Sequence, residues 1–320
     1  MVWHRATILS RRQLSPTVTG LTLQIINHQP TNNNGFTFLP GCWVDFRPLP
    51  SSTWDPADVD KCIGGYSLTS IPASLPQFEL AIQSSRHPVA AWATARALPN
   101  DVVDVRVGGT FTYDGDVGSK DTTSANDNNG DGHQRLLFIA GGVGINPLFS
   151  MIRQWNADRT TEERRRNGEK TSRAMLLYSC GTMEDLLFVP QLNELVGERP
   201  DRFRVVCTTT RRHRQQRMSE EQHDGGKFIA SGNTCIDFRE GRIDETMVKT
   251  AVGWLNDESE NGIMASGEAP SRIDDRNENA IVADAVYVCG PPGMPESMMK
   301  ILTDGSLVRS DEDVHFEKWW

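Results

Sequence analysis

No apolar run in this 320-residue chain approaches the ~20 residues that a bilayer-crossing helix requires, so a transmembrane segment is not expected. Cys-x-x-Cys is missing as well. The six cysteines, at positions 42, 62, 180, 207, 235 and 289, show neither that pair nor an iron–sulfur spacing, which predicts free thiols in a reducing compartment. The net charge of −9 argues against a nucleic-acid partner. The densest arginine run, Arg164-Arg165-Arg166, directly follows Glu162 and Glu163, so residues 159–170 read as a mixed-charge exposed stretch. No internal repeat is present. Acid is absent before Asp45; with Arg5, Arg11 and Arg12 this resembles the charge pattern of a mitochondrial leader, yet Ala6–Leu9 and Leu21–Ile25 read as strands.

Residues 136–152, Leu-Leu-Phe-Ile-Ala-Gly-Gly-Val-Gly-Ile-Asn-Pro-Leu-Phe-Ser-Met-Ile, carry the strongest positive signal. The apolar run 136–140 suits a strand covered on both faces. Gly141, Gly142 and Gly144 then let backbone amides approach a ligand with no Cβ in the way. Pro147 suits the first turn of the helix that follows, where a missing N–H costs nothing. The backbone of Val143, Ile145 and Asn146 completes that turn, and its amides with the helix dipole favour phosphate. Pro147 falls where Gly-x-Gly-x-x-Gly would place its third glycine, which disfavours an ordinary Rossmann dehydrogenase. A tight strand-to-helix turn with no ligand is the alternative.

A second signal lies at Ala285-Val-Tyr-Val-Cys-Gly-Pro-Pro-Gly-Met294, again a buried strand ending in small and cyclic residues. Cys289 stands at the carboxyl end of that strand, where ligands bind in open parallel sheets. Gly290, Pro291 and Pro292 make a sharp turn that leaves room for a planar group. An inert buried thiol is the alternative for Cys289.

Alternation at Leu21, Leu23 and Ile25 and again at Phe78, Leu80 and Ile82 predicts an antiparallel β-barrel over residues 1–113. Residues 114–134 contain almost nothing to bury and read as a flexible linker. From 135 to 320, strands near 136–140, 174–179, 203–208 and 285–289 alternate with helical stretches, which predicts a parallel α/β domain. Polar insertions near 213–232 and 256–280 interrupt it. The expected fold class is thus a two-domain α+β chain.

The two glycine turns, in this order, together with Leu176-Leu-Tyr-Ser-Cys-Gly-Thr-Met-Glu-Asp-Leu-Leu-Phe188, resemble the ferredoxin-NADP reductase superfamily. Within it, the chain is similar to the oxidoreductase NAD-binding domain-containing protein 1 group through Gly64-Gly-Tyr-Ser67, His87-Pro88, Val107-Gly-Gly109 and the ending Phe-Glu-Lys-Trp-Trp320. The resemblance implies FAD on the barrel, NADH or NADPH on the α/β domain, and electrons passed to an unknown acceptor, with a protein as one option. It implies mitochondria as the compartment, with the cytoplasm as the alternative. The competing function is a nucleotide-binding sensor or interaction module that has lost productive FAD binding.

The same resemblance assigns roles. Tyr66 would pack on the flavin, and the Ser67 hydroxyl would bond its hydride-accepting nitrogen, with Ser70 behind. Gly64 departs from the family's arginine, which neutralises the FAD pyrophosphate; Arg86 and Arg96 are candidate substitutes, and Thr94 a candidate hydroxyl. Trp319 would cover the flavin, unless the Trp-Trp ending only staples the chain end. Glu317 would be the carboxylate near the reacting rings, with Cys289 and Gly290 beside it. Thr209 and Arg211, or Arg212, follow the third α/β strand, where NADP-specific relatives bind the 2′-phosphate; a solvated basic loop is the alternative, so the choice of nucleotide stays open.

Overall fold

A computed structural model describes residues 2–28, 35–51, 53–54, 62–115, 134–166, 172–211, 235–257 and 281–318, with the side chains of 159–166 excepted. By its contacts the chain divides into two compact units. One comprises Met1–Gly115 with Val143–Thr161, the other Asp116–Gly142 with Glu162–Trp320.

The first unit is built on strands β1 (His4–Gln13), β2 (Val18–Ile25), β3 (Trp43–Pro48), β4 (Gly64–Ser67), β5 (Gln77–Gln83) and β6 (Val102–Gly108), with helix α1 (Pro88–Ala95) between the last two. They form one antiparallel sheet in the order β4-β3-β6-β1-β2-β5. An antiparallel bridge between Leu68 and Leu80, with the Thr69 amide donating to Glu79 O at 2.9 Å, brings the two edges together as a barrel. The predicted alternation is the physical cause of this core: Leu21, Leu23 and Ile25 are buried with Phe78, Leu80 and Ile82. Helix α1 adds Val89, Ala90, Trp92 and Ala93.

Helix α2 (Ile145–Arg166) contributes its amino-terminal part to this unit. Asn146, Ser150 and Arg153 recur one and two turns apart and so share a face. Asn146 Nδ2 donates to Ala81 O at 2.8 Å, Ser150 Oγ to Ser70 O at 2.6 Å, and Arg153 Nη1 to Thr69 O at 3.1 Å and Glu79 Oε2 at 2.9 Å. The helix continues through the mixed-charge stretch as far as Arg166.

The second unit holds six parallel strands, β7 (Arg135–Gly141), β8 (Arg173–Cys180), β9 (Phe203–Thr209), β10 (Asp237–Glu240), β11 (Ala285–Gly290) and β12 (Val314–Lys318), in the order β10-β9-β8-β7-β11-β12. Helices α3 (Val189–Glu198), α4 (Glu245–Asn256) and α5 (Met294–Asp304) accompany them. Asp244 caps α4, its carboxylate accepting from the Met247 amide at 2.9 Å. Met247, Val248, Ala251, Val252 and Leu255 then pack with Met298 and Leu302 of α5 against Leu137, Ile139, Leu177, Val286 and Val288.

The sequence predicts four strands here, and two more are present. β10 is four residues long, DFRE, with too few apolar positions to show a period. β12 alternates weakly and is placed by its register on β11. Most of the expected linker and insertions, at 116–133, 212–234 and 258–280, lies outside the described residues. Leu177, fully buried in β8, tests the second core. Leu177→Ala is expected to lower unfolding free energy by about 2–5 kcal/mol, read as a lower urea midpoint with an unchanged slope.

Candidate active site

The strand order reverses at β7: the chain runs outward through β8, β9 and β10 on one side and returns through β11 and β12 on the other. In open parallel sheets, ligands bind at such a switch point, outside the carboxyl ends of the strands. Both strands that flank it end in glycine, one residue beyond the Ala140–Cys289 pair. A Cβ at Gly141 would stand 2.6 Å from Met294 Sδ and 2.7 Å from Pro291 Cδ. One at Gly290 would strike the same sulfur and lie 3.3 Å from Gly141 Cα. The strand ends approach this closely only because neither carries a side chain.

Gly142 then adopts φ +54°, the left-handed region that favours glycine, and a Cβ added there would meet nothing within 4 Å. Open space therefore lies beside the turn. Gly142–Gly144 form a 3₁₀ turn leading into α2, whose first residues are Ile145, Asn146 and Pro147. Pro147 thus falls in the first helical turn, as expected. Val143 is half-buried, whereas Gly144, Ile145 and Asn146 are buried. The Asn146 side chain points into the first unit, and its Oδ1 has no hydrogen-bond partner. What the turn offers a ligand is its backbone amides, the chemistry that suits phosphate.

Cys289 is fully buried at the end of β11, opposite Glu317 in the β11–β12 register. Glu317 Oε2 is buried with no hydrogen-bond partner, and burial pushes the carboxyl up to about 7. Such a group exchanges a proton near neutral pH. Pro291 is exposed, and Gly293, at φ +85°, starts α5. Two contributors beside this end of the sheet were not singled out from sequence. Met294 closes over both glycines, although its position directly after the Gly-Pro-Pro-Gly turn was visible. Cys180, at the end of β8, receives the Gly142 amide, and burial pushes its thiol up to about 11, so it stays protonated.

The carboxyl end of β9 carries Thr208, whose Oγ1 is fully buried and unpartnered, followed by half-buried Thr209. Arg211 is exposed, and its amide donates to Gly181 O at 2.9 Å. A Cβ on Gly181 would sit 3.3 Å from Asp185 Oδ2 and 3.8 Å from Arg211 Nε, so both charge signs flank this glycine. Arg212 lies outside the described residues.

In the first unit, the flavin-strand candidates occupy β4. Ser67 is 2% exposed, and its Oγ has no hydrogen-bond partner. A buried hydroxyl without a partner costs free energy unless a ligand satisfies it, so Ser67 fits the edge of a polar heterocycle. Ser70 is buried, its Oγ accepting from the Glu79 amide at 3.1 Å. The half-buried Tyr66 ring sits edge-on to Phe46, with centroids 5.8 Å apart, and burial raises its phenol well above the usual range.

That ring also explains Gly64. A Cβ there would strike Tyr66 Oη and lie 2.7 Å from Cε2 and Cζ, so the space a side chain would take at position 64 is covered by the tyrosine two residues on. A flavin ring therefore fits β4 through Ser67, whereas an FAD pyrophosphate finds an aromatic ring at position 64 instead of a cation. Arg86 and Arg96 are exposed beyond opposite ends of α1. Thr94 Oγ1 is turned into its own helix, donating to Ala90 O at 2.8 Å. Trp319 lies outside the described residues.

A family model described as "Oxidoreductase NAD-binding domain" matches residues 138–226. Proteins named oxidoreductase NAD-binding domain-containing protein 1 are similar along almost the whole chain. That of Xenopus laevis is 30% identical over 309 residues, covering 96% of this chain and 76% of the relative. That of Homo sapiens is 29% identical over 310 residues, with coverage of 96% and 76%. Among solved structures, the flavohem-like FAD/NAD binding domain of nitric oxide dioxygenase from Vibrio cholerae has a TM-score of 0.60 at 13% identity, covering 99% of this chain and 98% of that one. Ferredoxin-NADP+ reductase from Plasmodium falciparum with 2′P-AMP has a TM-score of 0.59 at 15% identity, covering 99% and 96%. These two likenesses establish the shared two-domain fold.

Two outcomes follow from this geometry. Folded Glu317 holds its proton up to about pH 7, against a carboxyl reference of 4.5. The folded state therefore binds more protons than the unfolded state between these values, and the Glu317 contribution to stability falls as pH rises through that window. Glu317→Gln should remove this part of the fall; equal losses in urea midpoint between about pH 5 and about pH 8 for both proteins would refute the burial argument. Gly142→Ala places a methyl group in open space at a left-handed φ, costing about 1–2 kcal/mol of stability in thermal or urea unfolding.

Proposed function

The chain belongs to the oxidoreductase NAD-binding domain-containing protein 1 family, and from that premise we propose a flavin-dependent NAD(P)H oxidoreductase that takes hydride from NADH or NADPH onto a flavin and passes electrons to a further acceptor. The observation that carries this reading is the glycine pair at the switch point, with open space beside Gly142. The flavin, when bound, supplies a ring that accepts two electrons.

The chain's own residues do the rest. Amides of Val143, Gly144 and Ile145 receive the pyrophosphate of the nicotinamide nucleotide, and the open space beside Gly142 admits it. Cys289, behind Gly290, gives a small buried wall. Glu317, neutral or charged near pH 7, orients the carboxamide or holds a proton there. Ser67 Oγ bonds the flavin edge, and Tyr66 supplies apolar contact. Arg211 remains the candidate for a 2′-phosphate, with Asp185 opposing it, so the proposal includes both nucleotides.

The second reading, a nucleotide-binding module without productive flavin chemistry, draws on the Tyr66 ring over Gly64. Dye reduction by purified protein, with either nucleotide and with or without added flavin, separates the two. Nucleotide-dependent reduction that requires flavin supports the oxidoreductase, and none under any condition sinks it. Ser67→Ala should slow flavin reduction about 3- to 10-fold, as expected for one lost hydrogen bond, in stopped-flow absorbance at the flavin band. An unchanged rate would remove Ser67 from the site.

A further inference from the structure

We infer that the flavin is a dissociable substrate recognised through its ring, not an FAD held by its pyrophosphate; the inference rests on the oxidoreductase reading above. Three observations on the first unit carry it. The place an anchoring cation would take on β4 is filled, since any side chain at Gly64 collides with the Tyr66 ring, itself packed on Phe46. The polar groups of Trp92 and Thr94 on α1 are turned toward protein: Thr94 Oγ1 donates to Ala90 O, Thr94 O accepts from Arg11 Nη1 at 2.8 Å, and Trp92 Nε1 donates to Thr53 Oγ1 at 3.1 Å. Ser67 Oγ, by contrast, is buried and unsatisfied. On β4, the unmet hydrogen-bonding capacity is thus the Ser67 hydroxyl.

A pyrophosphate carries two negative charges, which a protein holds well only with cations or convergent amides. Riboflavin and the mononucleotide lack that group and lose nothing by its missing anchor. The reaction then closes on free species: a hydride, two electrons and one proton, leaves the nicotinamide carbon for the flavin ring, a solvent proton completes the reduced flavin, and NAD(P)+ and reduced flavin depart. The consumer of that product must be a reaction that oxidises reduced flavin. Arg86, exposed and without a partner among the described residues, is the cation best placed in sequence to contradict this, since it lies just before α1.

The test compares riboflavin, FMN and FAD on the full chain, by quenching of flavin fluorescence and by flavin content after gel filtration, followed by NADH and NADPH oxidation with each free flavin. Expected are affinities within about tenfold of one another, loss of flavin on gel filtration, and oxidation that saturates with each flavin. FAD retained at one per chain, or bound more than about 100-fold tighter than riboflavin, overturns the inference and leaves the oxidoreductase reading standing. An FAD advantage that Arg86→Ala abolishes overturns it likewise and makes Arg86 the anchor. Absence of binding by all three flavins overturns both.

Discussion

Two strand ends meet with no side chain between them, and the second unit's site depends on that contact. Gly141 and Gly290 stand one residue past a paired Ala140 and Cys289, and a Cβ on either would run into the Met294 sulfur. Because these are the central strands where the sheet order reverses, their close approach lies at the place in a parallel sheet where a ligand is expected, and the open space is the one beside Gly142. The strands below are buried throughout, Leu136 through Ala140 on one and Ala285 through Cys289 on the other, so the glycines are held on a close-packed base. Gly142 then turns the chain through a left-handed conformation with open space where a Cβ would stand, while its amide is held by Cys180.

The first unit uses a comparable economy to a different end. On β4 a glycine admits not a ligand but the unit's own tyrosine, whose ring lies over Gly64 and against Phe46. The next residue, Ser67, is left buried and unsatisfied. Just beyond it the backbone is secured by α2, through Ser150 on Ser70 and Arg153 on Thr69 and Glu79. A strand held at its exit and carrying one unmet hydroxyl is suited to recognise the edge of a flat polar ring.

Much of this was legible in one dimension. Strict alternation in β2 and β5, the five-residue apolar runs of β7 and β11, and the glycines that end them follow from local pattern, because burial on one face or two writes itself directly into the order of residues. Glu317 and Ser67 were named through resemblance, but their unsatisfied atoms were not foreseeable, since a missing partner is a property of everything packed around a group. β10 escaped notice because four residues with one buried side chain carry no period. The face of α2 that binds the barrel escaped as well: Asn146, Ser150 and Arg153 show helical spacing, but nothing local says that a polar stripe turns inward.

The sequence by itself determined β2, β5, β7 and β11 and the glycine turns that end the last two, since each rests on neighbours within a few residues. Tertiary structure alone decided that Gly141 and Gly290 face each other, that Met294 closes over both, and that Cys289 lies beside a Glu317 held near neutrality. It also decided the meaning of Gly64. In the sequence that residue is only the absence of an arginine; in the fold it is the space that Tyr66 requires, because steric exclusion depends on distances between side chains that the order of residues does not contain.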